Sequence, residues 1–150
     1  MEMKCVLISI NKPHTDHIFS GEKGLEWRKK PLPEGLYYVY ETKNKGGCGK
    51  VIGEMQIVGS KAVNTNGPLE VCLVNAGCVH PVTLKKYANN GTVYANFIKN
   101  ARRYEVPKLL SEFRSYNCSV YWEDGYPLPT HDIKRPPQSW CYVEALKDGL

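Results

Sequence analysis

The run Leu36-Tyr37-Tyr38-Val39-Tyr40 constrains the fold more than any other stretch of this sequence. Aromatic and β-branched residues crowd it, and such residues fit a pleated, packed surface. It reads as a strand, and comparable runs recur along the chain. Met3 to Ile10, Val51 to Val58, Thr92 to Ile98 and Trp140 to Val143 share its character, and Asn117 to Trp122 shows it more weakly. Gly53 inside the third run predicts a bulge or a tight corner. Glu54 beside it is weighed as a site residue against an outward-facing side chain.

Helices are few and short. Pro13 suits a first helical turn, so His14 to Phe19 reads as a helix closed by Gly21. His14 and His17 share its face. Pro68 to Gly77 fits either a strand or a helix, after a polar loop from Ser60. Thr83 is placed to cap a helix over Leu84 to Ala88, and Asn89-Asn90-Gly91 breaks it. Glu105-Val106-Pro107 is extended, and Leu109, Leu110 and Phe113 pack as a short amphipathic turn. Gly125 to Pro137 holds four prolines and reads as an irregular arm. No repeat or linker divides residues 1–150, which read as one α+β domain, mostly β: a small β-barrel with short helices around it.

Composition narrows the function classes. The net charge is +5, mildly basic and compatible with a polyanionic partner. No apolar run approaches the roughly 20 residues that span a membrane, and the first one is too short for a signal-peptide core. The six cysteines therefore read as free thiols in a reducing cytosol. No pair is spaced C-x-x-C. Cys78-Val79-His80 is the nearest approach to a ligand pair, so neither a metal nor another cofactor is expected.

The chemistry concentrates in Ser20 to Lys30, which holds two glycines, two acids and four bases. A strand after Gly24 puts Glu26 and Arg28 on one face. With Lys23 they form a cluster able to bind an anion, position a phosphate or move a proton. A solvated, charged turn is the plain alternative. The glycine-rich loop Asn44 to Gly49 reads as a flexible hairpin, although its glycines and lysine could cradle a phosphate.

These residues also carry a resemblance. Gly21-x-Lys23-x-x-Glu26-x-Arg28 follows a strand and a Pro-led helix. After it come Leu36-Tyr37-Tyr38-Val39-Tyr40-Glu41-Thr42 and Gly49-Lys50-Val51-Ile52-Gly53-Glu54. This order resembles the ASCH domain, a branch of the PUA-like superfamily. Val93-Tyr94-Ala95, Pro107-Lys108-x-Leu110-Ser111-Glu112-Phe113 and the closing Arg135 to Val143 resemble bacterial and phage members, so the likeness spans nearly the whole chain. It implies a PUA-like barrel with a cleft beside the Lys23 loop, and binding of RNA or nucleotides.

On that reading Lys12, Lys23, Arg28 and Lys43 supply charge and Gly21 shapes the loop. Tyr40 or Trp140 offers a stacking face, and Gln138 and Ser139 read a base edge. Core packing is the alternative for Trp140 and for most tyrosines. The resemblance also implies a hydrolase alternative, acting on RNA as a ribonuclease or on a modified nucleoside. Some ASCH-like proteins deacylate N4-acetylcytidine with Lys, Thr and Glu. Lys23 matches the Lys, but Glu26 stands where the Thr would. A hydrolase here would use Lys23 and Glu26, with Glu26 as base and Ser9, Thr42 or an activated water as nucleophile. A third reading is structural: Glu26 and Arg28 pair and fix the loop.

Overall fold

A computed structural model describes residues 4–116 and 133–146. The strand expected at Asn117 to Trp122 and most of the proline-rich arm lie outside them. The elements are β1 (Lys4–Ile10), α1 (His14–Ser20), β2 (Leu25–Arg28), β3 (Gly35–Glu41), β4 (Lys50–Asn64), α2 (Val71–Gly77), α3 (Pro81–Tyr87), β5 (Thr92–Lys108) and β6 (Trp140–Glu144), with 3₁₀ turns at Asn44–Gly46 and Leu110–Glu112. No helix among the described residues is long and apolar enough to cross a membrane.

The six strands form one sheet in the order β2-β5-β4-β3-β1-β6, with β1 parallel to β3 and the other pairs antiparallel. Its centre is buried on both faces. Val6, Ile8, Ile10, Tyr37 and Val39 join one apolar cluster, while Cys5, Leu7, Tyr38 and Tyr40 join another. Successive strand side chains alternate between faces, so double burial explains why β1 and β3 are apolar without alternation.

The mostly β, α+β class expected from the sequence is present, and the sheet is not closed. Among the described residues the sheet is open, with β2 and β6 at its two ends. Yet Arg28 of β2 donates from Nη1 to Ser139 Oγ, just before β6, at 3.0 Å. It donates from Nη2 to the Ser9 carbonyl of β1 at 3.2 Å. The sheet has therefore curled until its edges face one another. Side chains span the seam where a ladder would close a barrel.

Other boundaries also differ from expectation. β4 runs on to Asn64 and β5 to Lys108, so part of the expected polar loop is strand. The Gly53 irregularity is present as a register shift between Val51 and Gly53. Glu54 accepts from Arg102 and Tyr104, both at 2.9 Å, away from the seam. Pro68 to Gly77 resolves into α2. α3 begins at Pro81, two residues before Thr83, and His80 caps it by accepting from the Val82 amide at 3.1 Å. His80 is thus engaged in a helix cap. Among the described residues no three His, Cys, Asp or Glu gather where a metal could sit, and the five described cysteines are free thiols.

Candidate functional site

The seam opens into a cleft of about 720 Å³. β1 contributes Ser9 and Ile10, β2 contributes Glu26, Trp27 and Arg28, and the segment before β6 contributes Pro136, Pro137 and Gln138. Asn11, His14, Tyr40, Thr42, Lys43, Asn44 and Tyr87 complete the wall. A smaller recess of about 170 Å³ adjoins it, sharing His14, Glu26, Trp27 and Tyr87 and adding Lys23, Val79, Thr83 and Leu84.

Local structure places the charged cluster at the junction of the two spaces. Gly21 ends α1 with φ 88, a left-handed turn that glycine adopts without a Cβ clash. The chain then reverses, and β2 pairs with β5 in the register Glu26 to Asn96. Buried Asn96 donates to the Glu26 carbonyl at 3.1 Å and accepts from the Leu32 amide at 2.8 Å, bracing both sides of β2.

Lys23 is 2% exposed and Glu26 is 7% exposed, so neither belongs to a solvated turn. Glu26 Oε2 accepts from Arg28 Nε at 2.9 Å and lies 2.8 Å from Nη2. Glu26 Oε1 lies 3.7 Å from Lys23 Nζ, which also donates to the Gly77 carbonyl at the end of α2. Burial pulls the Lys23 ammonium below its ordinary range, and nearby Glu26 opposes that shift. Lys23 is thus a proton donor easier to deprotonate than a surface lysine. Burial likewise lowers the His14 imidazole, assisted by Lys23. Its Nδ1 is enclosed and has no hydrogen-bond partner among the described residues.

Lys23, Glu26, Arg28 and Ser139 are brought together, and Tyr40, Lys43 and Gln138 join them around the cleft. Tyr40 is only 4% exposed and forms wall, with most of its ring in the core. Trp140 packs against the other apolar cluster, edge-on to Tyr142 at 5.1 Å between ring centres. Lys12 turns toward Asp16 at 3.8 Å, and neither Lys12 nor Gly21 lines the cleft. Both hydroxyls weighed as nucleophiles line it, each donating to a protein acceptor. Ser9 Oγ donates to the Pro137 carbonyl at 2.7 Å, and Thr42 Oγ1 to Asn11 Oδ1 at 2.5 Å.

Trp27, Asn11 and Tyr87 were not singled out from the sequence. Tyr87 is 42% exposed and borders both spaces. Its spacing of four from Thr83 is the signal that would have found it, since such residues share a helical face.

The loop after β3 is held by a buried carboxylate. Glu41 accepts from Thr15 of α1 at 2.6 Å and from the Cys48 amide at 3.0 Å. Burial pushes its carboxyl up, but the Thr15 and Cys48 hydrogen bonds outweigh that, and the net shift is downward. A carboxylate depressed in the folded state stabilises above its unfolded pKa and loses that contribution as pH falls through the folded value. Glu41→Gln should therefore flatten the acid limb below about pH 4.5, read as urea midpoint against pH. An acid limb as steep as wild type would show that Glu41 titrates alike in both states.

No family model matches the chain, and no curated protein matches it in sequence. Solved structures do. The ASCH protein of Zymomonas mobilis superposes with a TM-score of 0.63 at 18% identity, over 92% of this chain and 86% of that one. The chain has the ASCH fold. A serine-to-alanine variant of the same protein gives 0.62 at 17% identity, over 92% and 87%. A tyrosine-to-phenylalanine variant gives 0.57 at 19% identity, over 72% and 77%. That likeness of fold agrees with the mostly β architecture, whose sheet is curled and not closed among the described residues.

Proposed function

We propose that the seam cleft binds RNA or a nucleotide-like ligand, with a base held between Tyr87 and the polar wall. The supporting observation is the cleft itself. Its volume of about 720 Å³ lies within the roughly 300–1,000 Å³ of small-ligand sites. Tyr87 is 42% exposed, with Lys29 Nζ 5.1 Å from its ring centre, and it lines the same cleft as Asn11, Thr42 and Gln138, groups that match the donors and acceptors of a base edge.

Fluorescence anisotropy with labelled single-stranded and hairpin RNA at two salt concentrations tests this reading. Base stacking on an aromatic ring contributes about 1–3 kcal/mol, so Tyr87→Ala should weaken binding roughly 5- to 150-fold. Trp140→Phe should bind like wild type, because Trp140 packs outside the cleft. Equal affinity of wild type and Tyr87→Ala would remove the base from this cleft.

A specific observation supports turnover as a second reading. Lys23 is buried, easier to deprotonate than usual, and adjacent to Glu26 at the neck of a recess. With Lys23 as proton donor and Glu26 as base toward a water, the cleft would act as a hydrolase of a modified nucleoside or of RNA. Product formation that Lys23→Met abolishes, with ligand affinity retained, is the result that reading expects.

A further inference from the structure

The binding reading leaves open which cations meet a phosphate, and the hydrogen bonds answer against the buried ones. Arg28 directs Nε and Nη2 to Glu26, Nη2 also to the Ser9 carbonyl, and Nη1 to Ser139. All three nitrogens are engaged by protein acceptors. Lys23 is shared between the Gly77 carbonyl and Glu26. Glu26 sits between both cations, so it offsets part of their charge and occupies the donors that would face a phosphate. A phosphate placed there would have to displace the Glu26 carboxylate and break the bonds that hold the seam.

The loop after β3 offers the opposite arrangement. Lys43 lines the cleft and is exposed, and Lys45 is exposed at the tip of the same loop. Neither has a carboxylate partner among the described residues. Lys45 lies close enough to His14, itself in the cleft wall, to oppose its protonation. The loop is firmly built. Glu41 ties Cys48 to α1 through Thr15, and the Gly49 amide donates to the Glu41 carbonyl at 3.0 Å. The Lys43 stem lies against Gly49, where a Cβ would come within 2.8 Å of Lys43 Cε. A Cβ on Gly47 would stand 1.7 Å from the Thr42 carbonyl oxygen, so only glycine permits this close fold. The loop therefore presents, from a fixed base, two exposed ammonium groups with no carboxylate partner among the described residues: Lys43 in the cleft wall and Lys45 two residues further on.

We propose that Lys43 and Lys45 form the phosphate subsite of this cleft, while the Lys23-Glu26-Arg28 cluster holds the seam and faces the uncharged part of the ligand. The proposal rests on the nucleotide-binding reading and divides its labour. Its ligand class is a base and sugar in the cleft with a flanking phosphodiester at the mouth. Salt dependence then belongs to the loop, because each phosphate contact on a single strand contributes about 0.7 to the slope of log affinity against log salt.

The test compares a labelled single-stranded hexaribonucleotide with the same strand carrying an uncharged methylphosphonate backbone, across a salt series. Wild type, Lys43→Ala/Lys45→Ala, and a charge-matched control, Lys99→Ala/Lys108→Ala, are titrated in parallel. The expected result is a slope lower by about 0.7 in the loop double variant, with its loss of affinity larger for the charged strand than for the uncharged one. The control should keep the wild-type slope. An unchanged slope in the loop variant, or an equal loss on both strands, overturns the phosphate subsite and leaves the binding reading standing. Absence of saturable binding by wild type overturns both.

Discussion

Glu26→Ala should cost about 3–5 kcal/mol of folding stability, the range seen when one partner of a buried ion pair is removed. The argument follows from what remains. Glu26 is 7% exposed and stands between Lys23, 2% exposed, and Arg28. Without the carboxylate, two cations stay in a poorly solvated place with no counter-charge. Lys23 has a partial escape, because burial makes its proton easier to lose and Glu26 no longer opposes that shift, and loss of its proton brings the cost toward the lower end. Arg28 has none, since guanidinium stays charged in proteins. Glu26→Gln keeps an acceptor for Arg28 and should cost less than the alanine change. Urea unfolding reads the effect as a lower midpoint at unchanged slope. A loss within 1 kcal/mol would mean that the cluster is solvated and does not hold β2 to the seam.

Gly77→Ala should cost about 1–3 kcal/mol, the usual penalty of overpacking, although alanine favours helix over glycine by up to about 1 kcal/mol. The close approach decides the sign. A Cβ at Gly77 would lie 2.0 Å from Trp27 Nε1, 2.8 Å from Trp27 Cδ1 and 2.9 Å from Leu25 Cδ1. Trp27 and Leu25 are 6% and 0% exposed, so neither ring nor methyl can swing into solvent. α2 must move off β2, and it carries with it the carbonyl that accepts from Lys23. For a chain of this size each kcal/mol lowers the melting temperature by roughly 2–4 °C. A fall of several degrees by calorimetry is expected. A melting temperature equal to wild type or higher would show that α2 accommodates a methyl there.

The parts of the fold legible in the sequence are those with strong local signals. β1, β3, β6 and α1 stand where apolar runs, Pro13 and Gly21 put them. The far ends of β4 and β5 were not legible, because Ser60 to Asn64 and Lys99 to Lys108 are largely polar and solvent-facing. Their strand state comes from pairing with the apolar halves of the partner strands, as Val63 to Val93 and Arg103 to Gly53 show. Openness of the sheet was hidden for a similar reason. Turn chemistry predicts hairpins, but whether two edges meet depends on curl accumulated over six strands.

For the site, the alternation that puts Glu26 and Arg28 on one face is a local property and could be read directly. Their burial is not local. It needs Ser139, 111 residues from Arg28, and Gly77, 54 residues from Lys23. Trp140 shows the converse: an aromatic placed well for stacking in sequence faces the core once β6 pairs with β1 in the register Ile8 to Trp140.

The most direct test of the central claim is a ¹⁵N-resolved NMR titration of the wild-type protein with a short single-stranded oligoribonucleotide. Saturable shifts at the Trp27 indole N–H, the Arg28 Nε–H and the Asn11 and Gln138 side-chain amides are the result this account requires. Shifts confined to α2 and the outer part of the β4–β5 hairpin, with the cleft signals unmoved at saturation, would contradict it.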